Sequence, residues 1–328
     1  MTRNATVVST GLYHPEKYVG REEFVTKFGP NMNDFFDKTG INGKYICAEN
    51  ESSLDMSVEA AKAAIKNAGI SAEDINLILV STDTPAYLSP ATSAAVQGII
   101  GAKNAGTFDI NCACAGFVTA MTTAWNFIRN DKKMNYVLII GTYAMSKYVN
   151  KNDAVTSPLL GDGAGAIIFK AEETDRGIFA TKLKALGEYH DYLGIFGGGT
   201  VHPPTFDMLS KKLQYVQFAK RYPATINQEN WPGMIKDVCD EAGLKISDIN
   251  WTIFTQVNYS SIVSVHNELG IPVEKAIKVM DKYGYTGSAC IPMAIHEAVT
   301  SGKFKKNDII AMCASGGGAN FASLVMKW

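Results

Sequence analysis

The feature of this 328-residue chain that most restricts its fold is an internal repeat. The segment NAGISAEDINLILV (residues 67–80) aligns without gaps with EAGLKISDINWTIF (residues 241–254), at an offset of 174 residues. Each copy has the pattern of an amphipathic helix, a turn that contains a glycine and an Asp-Ile-Asn step, and a short buried strand. The repeat therefore predicts two related halves.

The same alternation continues beyond the matched strands. A helical stretch and a basic turn precede NYVLIIGT (residues 135–142) in the first half and NDIIAMCASGGG (residues 307–318) in the second. Continuous apolar strands that alternate with helices are typical of sheets covered on both faces. We expect an α/β protein of five layers, αβαβα, with pseudo-twofold symmetry and an active site where the halves meet. The predicted halves are residues 1–172, which carry the cysteine described below, and residues 173–328.

The segment between the halves, residues 171–208, is rich in glycine, tyrosine and charged residues. We interpret it as a strand followed by an ordered excursion, which can help to wall a pocket, rather than as a disordered linker.

Composition places the chain among ordinary globular proteins. Hydrophobic residues make up 46% and charged residues 19%, with a formal net charge of -1, a balance that favours neither a nucleic-acid surface nor an acidic tail. No apolar run approaches the roughly 18 residues that span a bilayer, and the N-terminus lacks the apolar core of a secretory signal. We expect a cytoplasmic protein without membrane contact. Six cysteines without a C-x-x-C pair favour neither a zinc site nor a disulfide framework, and are expected to be reduced and mostly buried.

The stretch DINCACAGFVTA (residues 109–120) places Cys112 and Cys114 one residue apart. A helix is predicted to begin just after Cys114, and the N-terminus of a helix favours a thiolate and lowers the pKa of the thiol. The small neighbours permit a sharp strand-to-helix turn that exposes the sulfur. The residues alone leave two interpretations open, because a cysteine among small side chains is more often apolar filler than a nucleophile.

Two glycine-rich stretches are also candidates. In ASGGGANF (residues 314–321) the backbone N–H groups can approach an oxyanion closely, although a glycine run is more often a tight turn. GDGAGAIIF (residues 161–169) has the spacing of a dinucleotide fingerprint, but it leads into a strand and not into a helix. We therefore predict a structural role for it.

Together these stretches resemble the β-ketoacyl-acyl-carrier-protein synthase III family of the thiolase superfamily, over essentially the whole chain. The resembling stretches are TGI (39–41), DINCACAGF (109–117), GDGAGA (161–166), YTGSACIP (285–292) and GGG (316–318).

The resemblance implies the five-layered thiolase fold and a homodimer. It implies that Cys114 takes an acyl group from a thioester of coenzyme A or of an acyl carrier protein, before a second group is joined to it. It also implies an oxyanion hole formed by the backbone N–H groups of Cys114 and Gly317, with Cys112 as filler. The phosphopantetheine thioester is a substrate, and neither a cofactor nor a metal is implied.

Two positions depart from the family's catalytic pattern. Thr255 stands where the family's H-Q-A-N motif begins with histidine, and Tyr285 stands at the asparagine of its G-N-T-S turn. These family residues hold the malonyl thioester carbonyl during decarboxylation, and loss of such oxyanion donors costs on the order of 100- to 1,000-fold each. Neither hydroxyl is a base near neutral pH, but both can donate hydrogen bonds and so orient a thioester carbonyl or the acceptor. His190 or His202 is an alternative base, although surface placement is favoured for both.

Other departures concern the residues expected to bind the coenzyme A or carrier-protein part of the thioester. Lys38, Asn42 and Ser260 stand where the family carries three arginines, so only one positive charge remains. Lysine is a point charge without the bidentate geometry of arginine. Coenzyme A phosphates are therefore expected to be held less firmly, which favours a carrier protein or an unusual donor. Asn258, which keeps the last residue of the H-Q-A-N motif, is assigned with Lys38 to substrate binding.

The predicted acyl tunnel also differs. The family often places a bulky side chain of the partner subunit just before the proline of the loop that matches AYLSPATSAAVQ, and here that residue is Ser89. A small residue leaves room for a longer or branched acyl chain. An alignment shifted by one residue brings Leu88 to this position instead.

The leading hypothesis is an acyltransferase or non-standard condensing enzyme that loads an acyl group on Cys114 without ordinary malonyl decarboxylation. Specialised metabolism of polyketide or fatty-acid-derived products is the expected setting, by family-level analogy. One alternative is a non-catalytic binding subunit that completes a heterodimer with an active relative. A further alternative is an ordinary synthase that uses other groups for decarboxylation.

Overall fold

The structure, a computed structural model, describes residues 2–328, which form two large mixed β-sheets, two small two-stranded sheets and the helices that pack around them. The strands are β1 (Thr2–Tyr13), β2 (Lys17–Gly20), β3 (Gly43–Ile46), β4 (Leu77–Ser81), β5 (Gly106–Ile110), β6 (Tyr136–Ala144), β7 (Asp162–Thr174), β8 (Gly177–Ala185), β9 (Leu193–Ile195), β10 (Val216–Phe218), β11 (Trp251–Phe254), β12 (Ile309–Gly316) and β13 (Asn320–Lys327). The helices are α1 (Arg21–Phe28), α2 (Met32–Thr39), α3 (Ser53–Ala68), α4 (Thr92–Ile100), α5 (Gly116–Asn130), α6 (Thr156–Leu159), α7 (Phe206–Ser210), α8 (Ile226–Glu241), α9 (Tyr259–Leu269), α10 (Met280–Tyr283) and α11 (Cys290–Thr300).

The two main sheets have matching strand orders. The first is β1-β7-β6-β4-β5 and the second, read from its other end, is β8-β13-β12-β11. In each sheet the strand of the sequence repeat, β4 or β11, pairs parallel with the strand that directly follows α5 or α11, which is β6 or β12. The remaining pairs of these four-strand units are antiparallel. The predicted duplication is therefore confirmed at the level of topology.

The Asp-Ile-Asn step of the repeat has the same role in both halves. Asp74 and Asp248 each accept a hydrogen bond of 2.8 Å from the backbone N–H three residues earlier, which closes the turn before the strand. Asn76 and Asn250 each accept a hydrogen bond from the first backbone N–H of the neighbouring strand, β6 or β12. The repeated residues thus fix the entry of each strand into its sheet.

The two halves are not complete copies, since the second sheet has no full equivalent of β5. A single bridge between Thr252 of β11 and Ala276 occupies that edge. The first sheet therefore ends at β5, which pairs only with β4, whereas the second ends at β11.

The layers follow from the packing of the long helices. Helices α3 and α4 cover the outer face of the first sheet, α8 and α9 lie outside the second, and α5 and α11 lie between the sheets. Residues on both central helices are almost fully buried, among them Phe117, Met121, Ile291 and Met293. The predicted five-layered thiolase fold is confirmed. Between residues 2 and 328, no helix has both the length and the apolar character to cross a membrane.

All of GDGAGAIIF except its first glycine is part of β7, which confirms the predicted structural role of this stretch. A Cβ at Gly165 would lie 2.8 Å from the backbone nitrogen of Met293, so glycine is what lets α11 approach the strand. The Asp162 carboxylate accepts hydrogen bonds from the backbone N–H groups of Cys47 and Ser146, at 2.7 and 2.9 Å, which ties two loops to the strand.

The connection between the halves is ordered. β7 runs past the predicted boundary at residue 172, and β8 then enters the second sheet. The excursion that follows continues beyond the predicted segment, which ends at residue 208, and contains the antiparallel pair β9 and β10 with α7 between them. The prediction of a strand followed by an excursion is thus confirmed, and the excursion walls the cavity described next.

Candidate active site

Cys114 lies in a tight turn between β5 and α5. Ala113 has a φ of 46°, in the left-handed region that a residue with a Cβ rarely adopts. A Cβ at Gly316 would lie 2.5 Å from the carbonyl oxygen of Cys112 and 2.8 Å from the nitrogen of Cys114, so the end of β12 packs directly on this turn. α5 begins two residues after Cys114, at Gly116, as the sequence predicts.

The thiol opens into a cavity of about 400 Å³. Part of its lining consists of polar or small groups, namely Asp83, Asn111, Cys114, Tyr143, Tyr285 and the glycines 316–318. The excursion and α8 supply a mostly apolar wall, formed by Leu193, Ile195, Val216, Phe218, Tyr222 and Ile226. This volume and this apolar lining are typical of a small-molecule site.

The Cys114 side chain is neutral at rest. Its pKa is raised well above the ordinary value, first because of burial and then because of the negative charge of Asp83, while a hydrogen bond with the Tyr285 hydroxyl lowers it. The helix position is as predicted, but the expected net lowering of the pKa is wrong, since burial outweighs the favourable field of the helix.

Two tyrosines lie beside the thiol. Tyr285 and Tyr143 are buried, with ring centroids 6.4 Å apart. Burial is the main cause that raises the pKa of each phenol well above its ordinary value. Both are therefore neutral hydrogen-bond donors. The Tyr285 backbone is fixed by hydrogen bonds to Leu159 and Gly161, at 3.2 and 2.9 Å.

Asp83 is a site residue that the sequence reasoning missed. It follows β4 by two residues, at the carboxyl end of a strand in the parallel part of the sheet, and it lines the cavity with Cys114. Its Oδ1 atom is buried and has no hydrogen-bond partner within residues 2–328. Burial raises the pKa of this carboxyl group to about 6. The signal in the sequence was an acidic residue two positions after a continuous apolar strand, because ligands in α/β folds bind at strand carboxyl ends.

Thr255 and Gly317 occupy different depths of the site. Gly317 lines the cavity, as the resemblance implies for an oxyanion donor. Thr255 is only 1% exposed and is not among the lining residues. Its Oγ1 atom accepts a hydrogen bond of 2.8 Å from the N–H of Ser315 and lies 3.3 Å from the Ser315 carbonyl oxygen, to which it can donate. Thr255 therefore holds the strand end from which the glycines extend.

The residues predicted to bind the coenzyme A or carrier-protein part of the thioester lie outside the cavity that contains Cys114. Lys38 is exposed beside a surface cleft that also includes Tyr259 and Ser260. Asn258 caps α9, accepting a hydrogen bond of 3.0 Å from the N–H of Ser260. Val257 lines the cavity, so residues 257–260 run from the cavity to the cleft.

Ser89 is not part of its own chain's cavity. It lies in an exposed loop before Pro90, and its neighbour Leu88 is 82% exposed. Any contribution of this loop to an acyl tunnel therefore belongs to a second copy of the chain and stays a prediction.

The two candidate histidines also differ in position. His190 is exposed at the mouth of the cavity, where its Nδ1 atom lies 3.1 Å from the carbonyl oxygen of Gly187. His202 is exposed in the excursion and does not line the cavity.

Sequence models of one enzyme family match both halves. Residues 108–187 match the model of 3-oxoacyl-[acyl-carrier-protein (ACP)] synthase III, and residues 239–328 match that of its C-terminal part. The two matched ranges contain Cys114, Thr255, Tyr285 and Gly317.

Relatives of this family cover the chain almost end to end. It is 36% identical over 324 residues to the β-ketoacyl-[acyl-carrier-protein] synthase III of Clostridium perfringens strain SM101, with 99% of each chain covered. It is 34% identical over 326 residues to that of Ehrlichia canis, again with 99% of each covered. The crystal structure of 3-oxoacyl-[acyl-carrier-protein] synthase III from Aquifex aeolicus superposes with a TM-score of 0.87 at 30% identity, over 99% of this chain and 100% of that one.

Proposed function

Because the chain belongs to the 3-oxoacyl-[acyl-carrier-protein] synthase III family of the thiolase superfamily, we propose that it loads an acyl group from a thioester onto Cys114 and passes that group to a second acceptor without ordinary malonyl decarboxylation. The observation that carries the proposal is the surroundings of Cys114. The thiol lies at the start of a buried 15-residue helix, faces a cavity with an apolar wall, and has the Tyr285 hydroxyl and Gly317 beside it.

In the loading step, the sulfur of Cys114 attacks the thioester carbon and the donor thiol leaves. Negative charge develops on the former carbonyl oxygen, and backbone N–H groups at Cys114 and Gly317 are the proposed donors to it. The Tyr285 hydroxyl favours the thiolate form of Cys114. Its proposed role is to stabilise the sulfur when it is the nucleophile and again when it is the leaving group.

Loss of decarboxylation is supported by the surroundings of the two substituted positions. The Thr255 hydroxyl is hydrogen-bonded to the backbone of Ser315, and the Tyr285 hydroxyl acts on the Cys114 thiol, whose pKa it lowers. Neither position presents an imidazole or an amide to a malonyl carbonyl. The proposed acceptor is therefore a carbon, oxygen or nitrogen nucleophile that needs little help to ionise, such as a β-keto thioester, whose central carbon is already acidic.

The substrate class follows from the cavity and the cleft. Leu193, Ile195 and Phe218 on the wall suit an apolar acyl chain. The cleft near Lys38 also carries two carboxylates, Asp34 and Asp37, which disfavour the phosphates of free coenzyme A. We propose an acyl carrier protein as the donor, a homodimer as the working form, and specialised polyketide or fatty-acid-derived metabolism as the setting.

The test is the intact-protein mass after incubation with acetyl, hexanoyl and decanoyl thioesters of coenzyme A and of an acyl carrier protein, followed by malonyl thioester. We expect an acyl mass gain that is absent in Cys114→Ala and persists with malonyl thioester, without release of carbon dioxide. A gain that disappears with release of carbon dioxide identifies an ordinary condensing synthase. No gain from any donor identifies a non-catalytic subunit.

A further inference from the structure

Acyl transfer through Cys114 needs a proton acceptor, and the groups nearest the sulfur do not provide one. The thiol carries its proton at rest, because its pKa is raised well above the ordinary value. Tyr143 and Tyr285 are neutral phenols, and the Thr255 hydroxyl is held by Ser315. A thiol that must lose its proton on attack, or an acceptor that must lose its own, needs a base in the cavity.

Asp83 is placed to be that base. Its carboxylate follows the end of β4 on the cavity wall, and its charge acts on both Cys114 and Tyr143. The other titratable groups of the cavity lining are Cys114, Tyr143, His190, Tyr222 and Tyr285, with Cys290 behind Cys114 and Tyr285. None of the lysines or arginines of residues 2–328 lies in this lining, so the carboxylate is not part of an ion pair there.

The free carboxylate oxygen is the second observation. Leaving a buried polar atom without a hydrogen-bond partner is energetically costly, so each such atom calls for an explanation. The Asp83 Oδ1 atom is buried and unpartnered in the described residues, and its residue lines the cavity that holds the nucleophile.

We propose that Asp83 is the general base of this site. The proposal rests on the proposed function and adds a catalytic residue to it. In loading, the Cys114 sulfur forms a bond to the acyl carbon, and the carboxylate of Asp83 takes the thiol proton. The bond between the acyl carbon and the donor sulfur breaks, its electron pair leaves on that sulfur, and the proton passes from Asp83 to it.

In the second half of the reaction the same steps run in reverse. The acceptor forms a bond to the acyl carbon as Asp83 takes its proton. The bond to the Cys114 sulfur breaks, and the proton returns to that sulfur. No oxidation or reduction occurs, and Asp83 ends each half-reaction as the carboxylate with which it began.

The basicity of the group suits this role. With a pKa raised to about 6, Asp83 is mostly ionised at neutral pH and is a stronger base than an ordinary aspartate. Because the active form is the carboxylate, the rate is expected to fall as the pH decreases through about 6.

The test compares Asp83→Asn with the wild type by two readouts, the rate of Cys114 alkylation by iodoacetamide and the rate of acylation by hexanoyl thioesters, across the range from about pH 5 to about pH 8. We expect Asp83→Asn to slow both by on the order of 100-fold near neutral pH and to lose the inflection. Asp175→Asn, which removes an exposed carboxylate that pairs with Lys327, is the matched control.

If Asp83 acted only through its negative charge, Asp83→Asn would change the reaction rate in the opposite direction. Removing a nearby negative charge lowers the pKa of the thiol, so an unchanged or faster reaction of Asp83→Asn overturns the proposal. An inflection that persists in Asp83→Asn and disappears in His190→Asn also overturns it and assigns the base to His190.

A folding measurement and a second variant distinguish loss of the base from misfolding of the protein. Thermal unfolding shows whether Asp83→Asn is folded, and partial recovery of the rate in Asp83→Glu supports a need for the carboxylate itself. If no thioester acylates the wild type, the proposed function fails, whereas the alkylation rates still decide the role of Asp83.

Discussion

At the residue scale, the site depends on one thiol whose chemistry is controlled by its neighbours more than by its place on a helix. Burial and the charge of Asp83 raise the pKa of Cys114, and the Tyr285 hydroxyl opposes them. The Tyr285 hydroxyl thus acts on the pKa of the nucleophile itself. This role of Tyr285 does not depend on a malonyl substrate.

Tyr285→Phe tests that role. Hydrogen bonds to charged groups contribute roughly 1.5–3 kcal/mol, so we expect alkylation of Cys114 by iodoacetamide at neutral pH to slow by about tenfold or more. The reason is that the pKa of the thiol rises when the hydroxyl is removed. Tyr18→Phe removes a surface hydroxyl and is the control. A rate equal to that of the wild type would show that the hydroxyl does not stabilise the thiolate.

Sequence reasoning at this scale succeeded where motifs were present. The stretch around Cys114 and the triple glycine named two residues that do share the cavity. It missed Asp83, which belongs to no motif and is notable only because of what surrounds it after folding. The role of Thr255 could not be predicted either. Its hydroxyl is hydrogen-bonded to Ser315, which lies 60 residues away along the chain and is brought close to Thr255 only when the sheet forms.

At the element scale, the position of Cys114 depends on a close approach between β12 and the turn before α5. Gly316 permits this approach because the space for its Cβ is already occupied by the backbone of Cys112 and Cys114. The triple glycine is thus both a strand end and the surface against which the nucleophile turn packs.

The same substitution at two glycines is expected to have opposite effects. In Gly316→Ala the added methyl displaces the Cys114 turn, so we expect the free energy of unfolding to fall by about 1–3 kcal/mol and acylation to be lost. In Gly233→Ala the methyl meets nothing within 4 Å in α8, and we expect stabilisation by roughly 0.5–1 kcal/mol.

Urea unfolding and the intact-protein mass after acylation measure both effects. A Gly316→Ala variant that is as stable and as readily acylated as Gly233→Ala would show that the turn is not packed against β12.

Element boundaries were predictable where the pattern was local. The turn and strand of each repeat lie where the alignment places them, because the Asp and Asn side chains fix them through short-range hydrogen bonds. For the excursion, the sequence predicted an ordered segment but not the strands β9 and β10 within it. That β9 and β10 wall the cavity is set by their contacts with distant residues, which a single sequence does not reveal.

At the scale of the whole molecule, a duplicated chain has become asymmetric. The first half supplies Cys114 and Asp83, and the second supplies Tyr285 and Gly317. The missing equivalent of β5 in the second sheet could not be predicted from the repeat, since the matched segments end before it. In the first sheet β5 is an edge strand that pairs only with β4, and native proteins usually cover such edges.

Large apolar side chains surround this edge. Ile99 of α4 is 56% exposed, Phe127 of α5 is 40% exposed, and Leu88 lies on the loop before α4. Exposed apolar side chains beside an open strand are typical of a subunit interface. We therefore expect the predicted homodimer to form through this face.

Sedimentation velocity tests the dimer. We expect the wild type to sediment as a dimer and Ile99→Asp to shift towards the monomer, because a buried unpaired carboxylate in an interface is costly. Val201→Asp, at an 82% exposed position of the excursion, is expected to remain dimeric. A monomeric wild type, or an Ile99→Asp variant as dimeric as the control, would place the interface elsewhere or exclude it.

The central claim is that Cys114, and not its neighbour Cys112, carries the acyl group. The most direct measurement is the intact-protein mass of Cys114→Ala and Cys112→Ala after incubation with a hexanoyl carrier-protein thioester, with the adduct located by fragmentation. We predict that Cys112→Ala gains one hexanoyl group on Cys114 and that Cys114→Ala gains none. A hexanoyl group found in Cys114→Ala, or lost only in Cys112→Ala, would contradict the account.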